Sequence, residues 1–293
     1  MHLRFAQRSL ARAGPPLVMG VVNVTPDSFY DRGATSATDD AVRHGLALVV
    51  AGADLLDVGG MTAQPGEPVS EAVEIDRVVP VVAALRERAA LPIAVDTYRA
   101  AVADAALSAG ADLVNDHTGL SDPALAGVVA GHDAGIVLTH LELQPKQPQD
   151  GRYAVPVEEI ASRLTALAGA ARAAGVREDA ILLDPGLGFG KDTATDLATL
   201  RHLPELRALG YPLLLAPSHK EVTAEPLGLP ESALEGTAAV VAVAAYLGVD
   251  VLRLHDLPFM GNVASMGWMI AAADQAGTES SPSKNEGRNR PSR

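Results

Sequence analysis

Asp96, Asn115, Asp184, Lys220, Arg253 and His255 are the residues of this sequence best suited to chemistry, because each ends or follows a short aliphatic run. Asn23, Asp57 and His140 sit at the ends of further runs of the same kind, and Ser218 stands two residues before Lys220. One Asp after a strand is most often a helix cap. Acids, amides and cations delivered by one run after another instead describe a shared rim. Asp96, Asn115 and Asp184 can pair with the donor-rich edge of a flat aminopyrimidinone. A buried polar group left unpaired costs about 1–3 kcal/mol, so such a pocket selects for a matching heterocycle. Lys220, Arg253 and His255 add positive charge or donors for an anionic group beside that ring, with diphosphate the expected form. Asn23 can offer its carbonyl oxygen to a hard cation such as Mg2+.

The run DPGLGFGK at 184–191 superficially resembles a phosphate-binding loop. It lacks the GxxxxGK[ST] spacing, and Asp192 follows Lys191. Its glycines are better read as permitting close backbone approach to a ligand, with Phe189 placed over it.

The elements that must position these residues alternate strictly. Eight aliphatic runs fall at 17–23, 54–58, 92–96, 112–115, 136–139, 180–184, 212–216 and 249–254. Amphipathic helical patterns separate them, among others at 70–89, 98–108, 156–174, 193–209 and 231–247. Strand–helix alternation implies right-handed crossovers and a parallel sheet. Eight such units predict an α/β fold, a single eight-stranded parallel (β/α)8 TIM-type barrel, with an open doubly wound sheet as the alternative. In such a barrel the functional rim is the C-terminal end of the strands. The expected organisation is an N-terminal extension over 1–16, a barrel over 17–277 and a low-complexity disordered tail over 278–293. Two long polar connections, 24–38 and 143–155, read as lids or mobile loops.

Bulk properties exclude several classes. The formal net charge is −13; segments 1–13 and 278–293 contribute +3 and +2, leaving −18 on the body between them. An acidic body repels nucleic acid and anionic lipid, and aromatics at 3% offer few platforms for stacked bases. Cysteine is absent, which removes disulfides, thiolate metal sites and cysteine nucleophiles. No apolar run approaches the length of a membrane span, and the first residues lack a signal-peptide core. A soluble, cytoplasmic protein is expected, with no nucleic-acid and no membrane partner.

The motifs NVTPDSF (23–29), DVGG (57–60), DT (96–97), ND-x-x-GL (115–120), DPGLGFGK (184–191), S-x-K (218–220) and R-x-HD (253–256) resemble those of dihydropteroate synthases, over about residues 17–275. That resemblance implies joining 6-hydroxymethyl-7,8-dihydropterin diphosphate to 4-aminobenzoate, with loss of pyrophosphate, in folate biosynthesis. It implies that Asp96, Asn115, Asp184 and Lys220 hold the pterin. Asn23, Arg253 and His255 would hold the diphosphate with Mg2+, and the loops after the first two strands would shape the arylamine pocket. It further implies a homodimer.

The second loop departs from the family pattern. Typical members read GGESTRPG; here the stretch is Gly59-Gly60-Met61-Thr62-Ala63-Gln64-Pro65-Gly66. Ala63, Gln64 and Pro65 are therefore the acceptor-side candidates, with a Thr and an Arg missing among them. The usual S-R-K is Ser218-His219-Lys220, which removes a second Arg. The chain resembles a divergent actinobacterial second-copy branch of the family, which shares the FYD after PDS and an Ala in the second loop. Three readings follow: a synthase with a modified loop; a pterin-binding paralogue with weak or no synthase activity or a different acceptor; and a pterin-dependent methyltransferase, which would need no diphosphate clamp.

Overall fold

The computed structural model describes residues 2–5, 8–11, 13–24, 34–62, 66–141, 154–231 and 233–276. A hairpin, β1 (His2–Phe5) with β2 (Arg8–Ala11), precedes β3 (Leu17–Asn23), α1 (Ala34–Val50), β4 (Leu55–Gly59), α2 (Glu71–Arg88), β5 (Ile93–Asp96), α3 (Ala100–Ser108), β6 (Leu113–Asp116) and α4 (Leu125–Gly131). Then follow β7 (Gly135–Thr139), α5 (Val157–Ala173), β8 (Ile181–Asp184), α6 (Thr193–Arg201), α7 (Leu203–Arg207), β9 (Leu214–Leu215), α8 (Glu221–Ala224), α9 (Leu234–Tyr246), β10 (Val251–Leu254) and α10 (Leu257–Ala276).

Strands β3 to β10 form one parallel eight-stranded sheet in the order β8-β7-β6-β5-β4-β3-β10-β9. The two ends meet: Leu183 bridges Leu213 in parallel, and the Leu183 N–H donates to Pro212 O at 2.9 Å. The barrel is thus closed, as the alternation of runs predicts. Each predicted run lies within a residue or two of an observed strand, β9 being the shortest. The helical pattern over 193–209 is two helices rather than one. Pro204 has no N–H to give and opens α7, so the chain turns at His202. The connection expected over 24–38 is shorter, since α1 already begins at Ala34; residues 25–33 and 142–153 lie outside the described set.

Side-chain alternation divides the sheet into two cores. Val18, Leu56, Ile93, Val95, Val114, Ile136, Leu138, Leu183 and Leu252 face the helices in one buried cluster. The second cluster fills the barrel with residues from every strand: Leu17 and Met19, Leu55, Ala94, Leu113, Val137, Leu182, Leu214 and Val251. Leu3 and Phe5 of the hairpin complete it from the N-terminal end. There the absence of a side chain at Gly135 is required, because a Cβ would stand 2.5 Å from the Phe5 ring. The hairpin is also pinned electrostatically. Arg8 donates to Asp112 Oδ1 at 2.7 Å, Arg86 pairs with the other oxygen, and the Ile93 N–H donates to that same oxygen at 2.9 Å.

A plugged lower end leaves only the upper end for chemistry. Phe5→Ala is expected to lower the unfolding free energy by about 3–5 kcal/mol in a urea titration. A change within about 0.5 kcal/mol would mean that the hairpin is dispensable to the barrel.

Candidate functional site

On six of the eight strands, the position two residues beyond an interior aliphatic, at the same inward parity, delivers a polar group. Leu55 is followed by Asp57, Ala94 by Asp96, Leu113 by Asn115, Val137 by Thr139, Leu182 by Asp184 and Val251 by Arg253. These side chains meet at the C-terminal end of the barrel. Arg253 is the hub: its Nε donates to Asp57 Oδ2 at 2.6 Å and its Nη2 to Asp96 Oδ2 at 3.0 Å. Asn115 Nδ2 donates to Asp57 Oδ2 at 2.9 Å. His117, in the turn after β6, places Nδ1 2.9 Å from Asp96 Oδ1.

Electrostatics separates the two carboxyls. Burial pushes Asp57 above the ordinary carboxylate range, against the pull of Arg253. Burial acts on Asp96 as well, but His117 and Arg253 together outweigh it and hold that carboxyl below its usual value. The Asp57 Oδ1 atom is buried without a hydrogen-bond partner among the described residues.

Asp184 and Lys220 join the cluster from the far wall. Burial raises the Asp184 carboxyl, and the Lys220 ammonium opposes the rise. Burial pushes Lys220 down to about 8, with Asp184 resisting. Its Nζ donates to Leu187 O and lies 4.7 Å from the centre of the Phe189 ring. Lys220 thus combines a cationic contact with an ammonium that titrates close to neutrality.

The 184–191 segment builds the wall between them. The Gly186 N–H donates to Asp184 Oδ1 at 2.8 Å, and a Cβ on Gly186 would stand 2.3 Å from His140 O. Its φ of +72° adds a second reason for glycine. Lys191 is buried and donates to Gly186 O at 2.7 Å, so it closes the loop on itself. The loop carries Phe189 beside Lys220, its glycine makes room for His140 O, and its lysine is engaged by backbone. His140, at the end of β7, is pushed down to about 3 by burial and by Lys191, which keeps it neutral.

At the rim, the Ser218 hydroxyl accepts from the His255 N–H at 3.4 Å. His219 takes a positive φ of 54°, and its ring bridges Asp256 Oδ2 at 2.9 Å and Glu231 O at 3.1 Å. The residue standing where the family has Arg is thus tied to its own neighbours. Asn23 is exposed at the top of β3. Its Oδ1 lies 3.9 Å, and Asp96 Oδ2 3.7 Å, from the point that a Cβ on Gly59 would occupy.

The structure therefore gathers Asp96, Asn115, Asp184, Phe189, Lys220 and Arg253 into one cluster, with Asn23, Ser218 and His255 at its edge. Ala63, Gln64 and Pro65 lie outside the described residues. On either side of them, Arg77 donates to Gly60 O at 2.8 Å, and Arg99 donates to Glu74 Oε2 at 2.9 Å and to Val69 O at 2.7 Å. Met61 is buried where typical members carry Glu.

His117 and the Glu74–Arg99 pair escape the sequence reading, and Asp57, read there only as a rim residue, takes its role from the network. For Asp57 a signal exists, since an acid inside the aliphatic run LLDVG is costly unless it is paired. His117 lies in a turn and leaves no comparable trace.

Arg253→Leu is expected to cost about 3–5 kcal/mol at neutral pH, because it leaves buried carboxylates without their cation. Urea unfolding measures this, and adding Asp57→Leu should recover part of the loss. A cost below about 1 kcal/mol would show the network to be solvated rather than buried.

Comparison with known proteins points the same way. The family model described as pterin binding enzyme matches residues 19–255. The chain is 41% identical over 253 residues to the dihydropteroate synthase of Bacillus subtilis, covering 85% of this chain and 87% of that one. It is 44% identical over 261 residues to the protein named inactive dihydropteroate synthase 2 of Mycobacterium tuberculosis, covering 85% and 81%. A solved structure of Xanthomonas albilineans dihydropteroate synthase with 4-aminobenzoic acid superposes with a TM-score of 0.82 at 38% identity, covering 96% and 99%. With the family model spanning most of the chain and the barrel shared in full, this chain belongs to the pterin-binding enzymes of the dihydropteroate synthase family.

Proposed function

We propose that this chain is a dihydropteroate synthase-type transferase that joins 6-hydroxymethyl-7,8-dihydropterin diphosphate to 4-aminobenzoate in folate biosynthesis. The observation that carries the reading is the convergence of Asp96, Asn115, Asp184 and Lys220 around the Arg253 hub, beside the face of Phe189. Two carboxyls, an amide and an ammonium suit the donors and carbonyl of a bicyclic aminopyrimidinone. His255 and Ser218 stand at the edge, where the diphosphate would leave. The carbon–oxygen bond to diphosphate breaks, the ring system delocalises the resulting cation, and the arylamine nitrogen attacks that carbon and loses a proton. Positioning and charge stabilisation supply the rate. Asp96 faces the ring on which positive charge develops, Arg253 holds Asp96 and Asp57 in place, Lys220 sits across the ring, and Ala63, Gln64 and Pro65 belong to the acceptor side.

The family implies Mg2+, and the residues present fit it. Asn23 offers an exposed hard oxygen beside Asp96, and Mg2+ usually takes one or two protein ligands together with substrate phosphates. Among the described residues no cluster of three or more His, Cys, Asp or Glu provides an all-protein cage. When bound, the ion would neutralise charge on the diphosphate, with Asn23 holding it.

The homodimer has a candidate face. Phe259, Met266 and Ile270 recur along one side of α10, and Met269, Val243 and Tyr246 extend the exposed apolar area onto the packed helix α9. Among the described residues no helix is long and apolar enough to cross a membrane. Met266→Glu with Ile270→Glu is expected to convert a dimer to monomer in sedimentation velocity runs. A wild-type protein that already sediments as a monomer removes the homodimer from the proposal.

A second reading has its own support. Ala63, Gln64 and His219 replace the family's Thr and two Arg, and a relative at 44% identity is named inactive. A charge-assisted hydrogen bond is worth about 1.5–3 kcal/mol, roughly 10- to 150-fold in rate. A pterin-binding paralogue without turnover, or with another acceptor, would keep the inner cluster and lose the outer one. Purified protein with Mg2+, the pterin diphosphate and 4-aminobenzoate separates the two readings. Dihydropteroate and pyrophosphate in equal amounts support the synthase; pterin binding without pteroate supports the paralogue. Gln64→Arg with Ala63→Thr is expected to raise the pteroate rate at least about tenfold. No gain would clear the second loop of responsibility.

A further inference from the structure

The His117 ring packs against Phe189 and bonds Asp96, two of the groups proposed to hold a planar ligand. Its plane is parallel to that of Phe189 within 11°, with ring centres 5.9 Å apart, and Tyr98 meets its edge at 6.0 Å. Its Nδ1 is 2.9 Å from Asp96 Oδ1, while Arg253 takes Asp96 Oδ2. Both oxygens of Asp96 are thus engaged by protein groups. One of them is engaged by a flat nitrogen ring with an N–H, the same kind of group that a pterin would present. His117 is 8% exposed, so it is an interior occupant rather than a rim residue.

We propose that His117 is a built-in competitor for the pterin ring, holding Asp96 and facing Phe189 until a pterin displaces it. The inference rests on the pterin reading of the site and assigns to His117 the control of ring affinity. A site whose receptive form is only partly populated binds more weakly in proportion to that fraction. Replacing the occupant therefore tightens binding, the reverse of what removal of a contact residue does.

The charges around the ring give the expected pH behaviour. Asp96 on β5 and Asp116 on β6 attract a charged imidazole; Arg253 on β10 repels it, and Lys220 across Phe189 adds positive charge near Asp96. Burial disfavours the charged ring, yet the two carboxylates outweigh burial and hold His117 above its ordinary value. A charged His117 grips Asp96 more firmly than a neutral one. Its hold is complete at acidic pH and weakens as pH rises through that raised value. Pterin affinity should therefore rise as pH climbs through that raised value, above the ordinary imidazole range.

The test uses the full chain and 6-hydroxymethylpterin as the probe, titrated by fluorescence quenching. His117→Val is expected to bind the probe about tenfold more tightly than wild type near pH 6 and to lose the rise with pH. His117→Asn, which keeps a polar group but no ring, should move in the same direction and covers the case in which the apolar variant folds poorly. Equal or weaker binding in a folded variant, with wild type still binding the probe, overturns the competitor and leaves the pterin reading standing. Absence of binding by wild type and both variants overturns the pterin reading, and the competitor with it.

Discussion

A guanidinium shared between two buried carboxylates is the constraint around which the upper half of this barrel is organised. Arg253 on β10 reaches past β3 to Asp57 on β4 and Asp96 on β5. Taking such ions out of water is expensive, and only good geometry with further hydrogen bonds offsets the cost. Here the planar fork of Arg meets one oxygen from each acid, and Asn115 and His117 supply additional donors. The arrangement holds four strand ends in register with one another. It also fixes which carboxyl stays ionised: Asp96, with two cationic neighbours, is the anion, whereas Asp57 is the more basic of the pair.

That network exists because strand alternation allows it. A parallel barrel strand presents every second residue to the interior. The lower interior layers are Leu, Met, Val and Ala, sealed by Leu3 and Phe5; the layer above them is Asp, Asn, Thr and Arg. A shift of one residue in β4, β5 or β8 would take its acid out of the interior and put it against the helices. The hydrophobic pattern that folds the barrel and the polar layer that makes the site are one register, read at two heights.

The strands and most helices were legible because each aliphatic run is short, punctuated and bounded by an Ala-rich amphipathic stretch. Asp96, Asn115, Asp184, Lys220 and Arg253 were legible as a set because they end such runs. What the sequence hid has specific physical causes. The hairpin at 2–11 is too short for periodicity to register, and its meaning depends on Gly135 and Asp112, more than a hundred residues away. The turn at His202 overrides an amphipathic pattern that continues through it. His117 acquires its place from the turn geometry that Asp116 imposes: Asp116 Oδ1 accepts from the Thr118 N–H at 2.9 Å and its Oδ2 from the Leu120 N–H at 2.6 Å. Nothing in a linear motif says which way the residue between them points.

The altered acceptor side matters more in this charge environment than it would in a basic protein. Among the described residues, Asp57, Asp96 and Asp184 stand against Arg253 and Lys220, so the inner cluster has no surplus of positive charge. Arg253 is committed to two acids, Lys220 donates to Leu187 O, and Lys191 is taken by its own loop. The body around them is acidic by 18 charges, and at physiological salt only charges within roughly 8 Å act strongly on one another. On the proposed reading, a diphosphate entering such a mouth would be met by groups outside the inner cluster: a hard cation that Asn23 would hold, His255 at the rim, or the loops. Gln64 supplies a dipole where an Arg would supply a full charge, and His219 is already held by Asp256. Recognition of the ring and stabilisation of the leaving anion thus depend on separate groups, and it is the second function that these substitutions weaken.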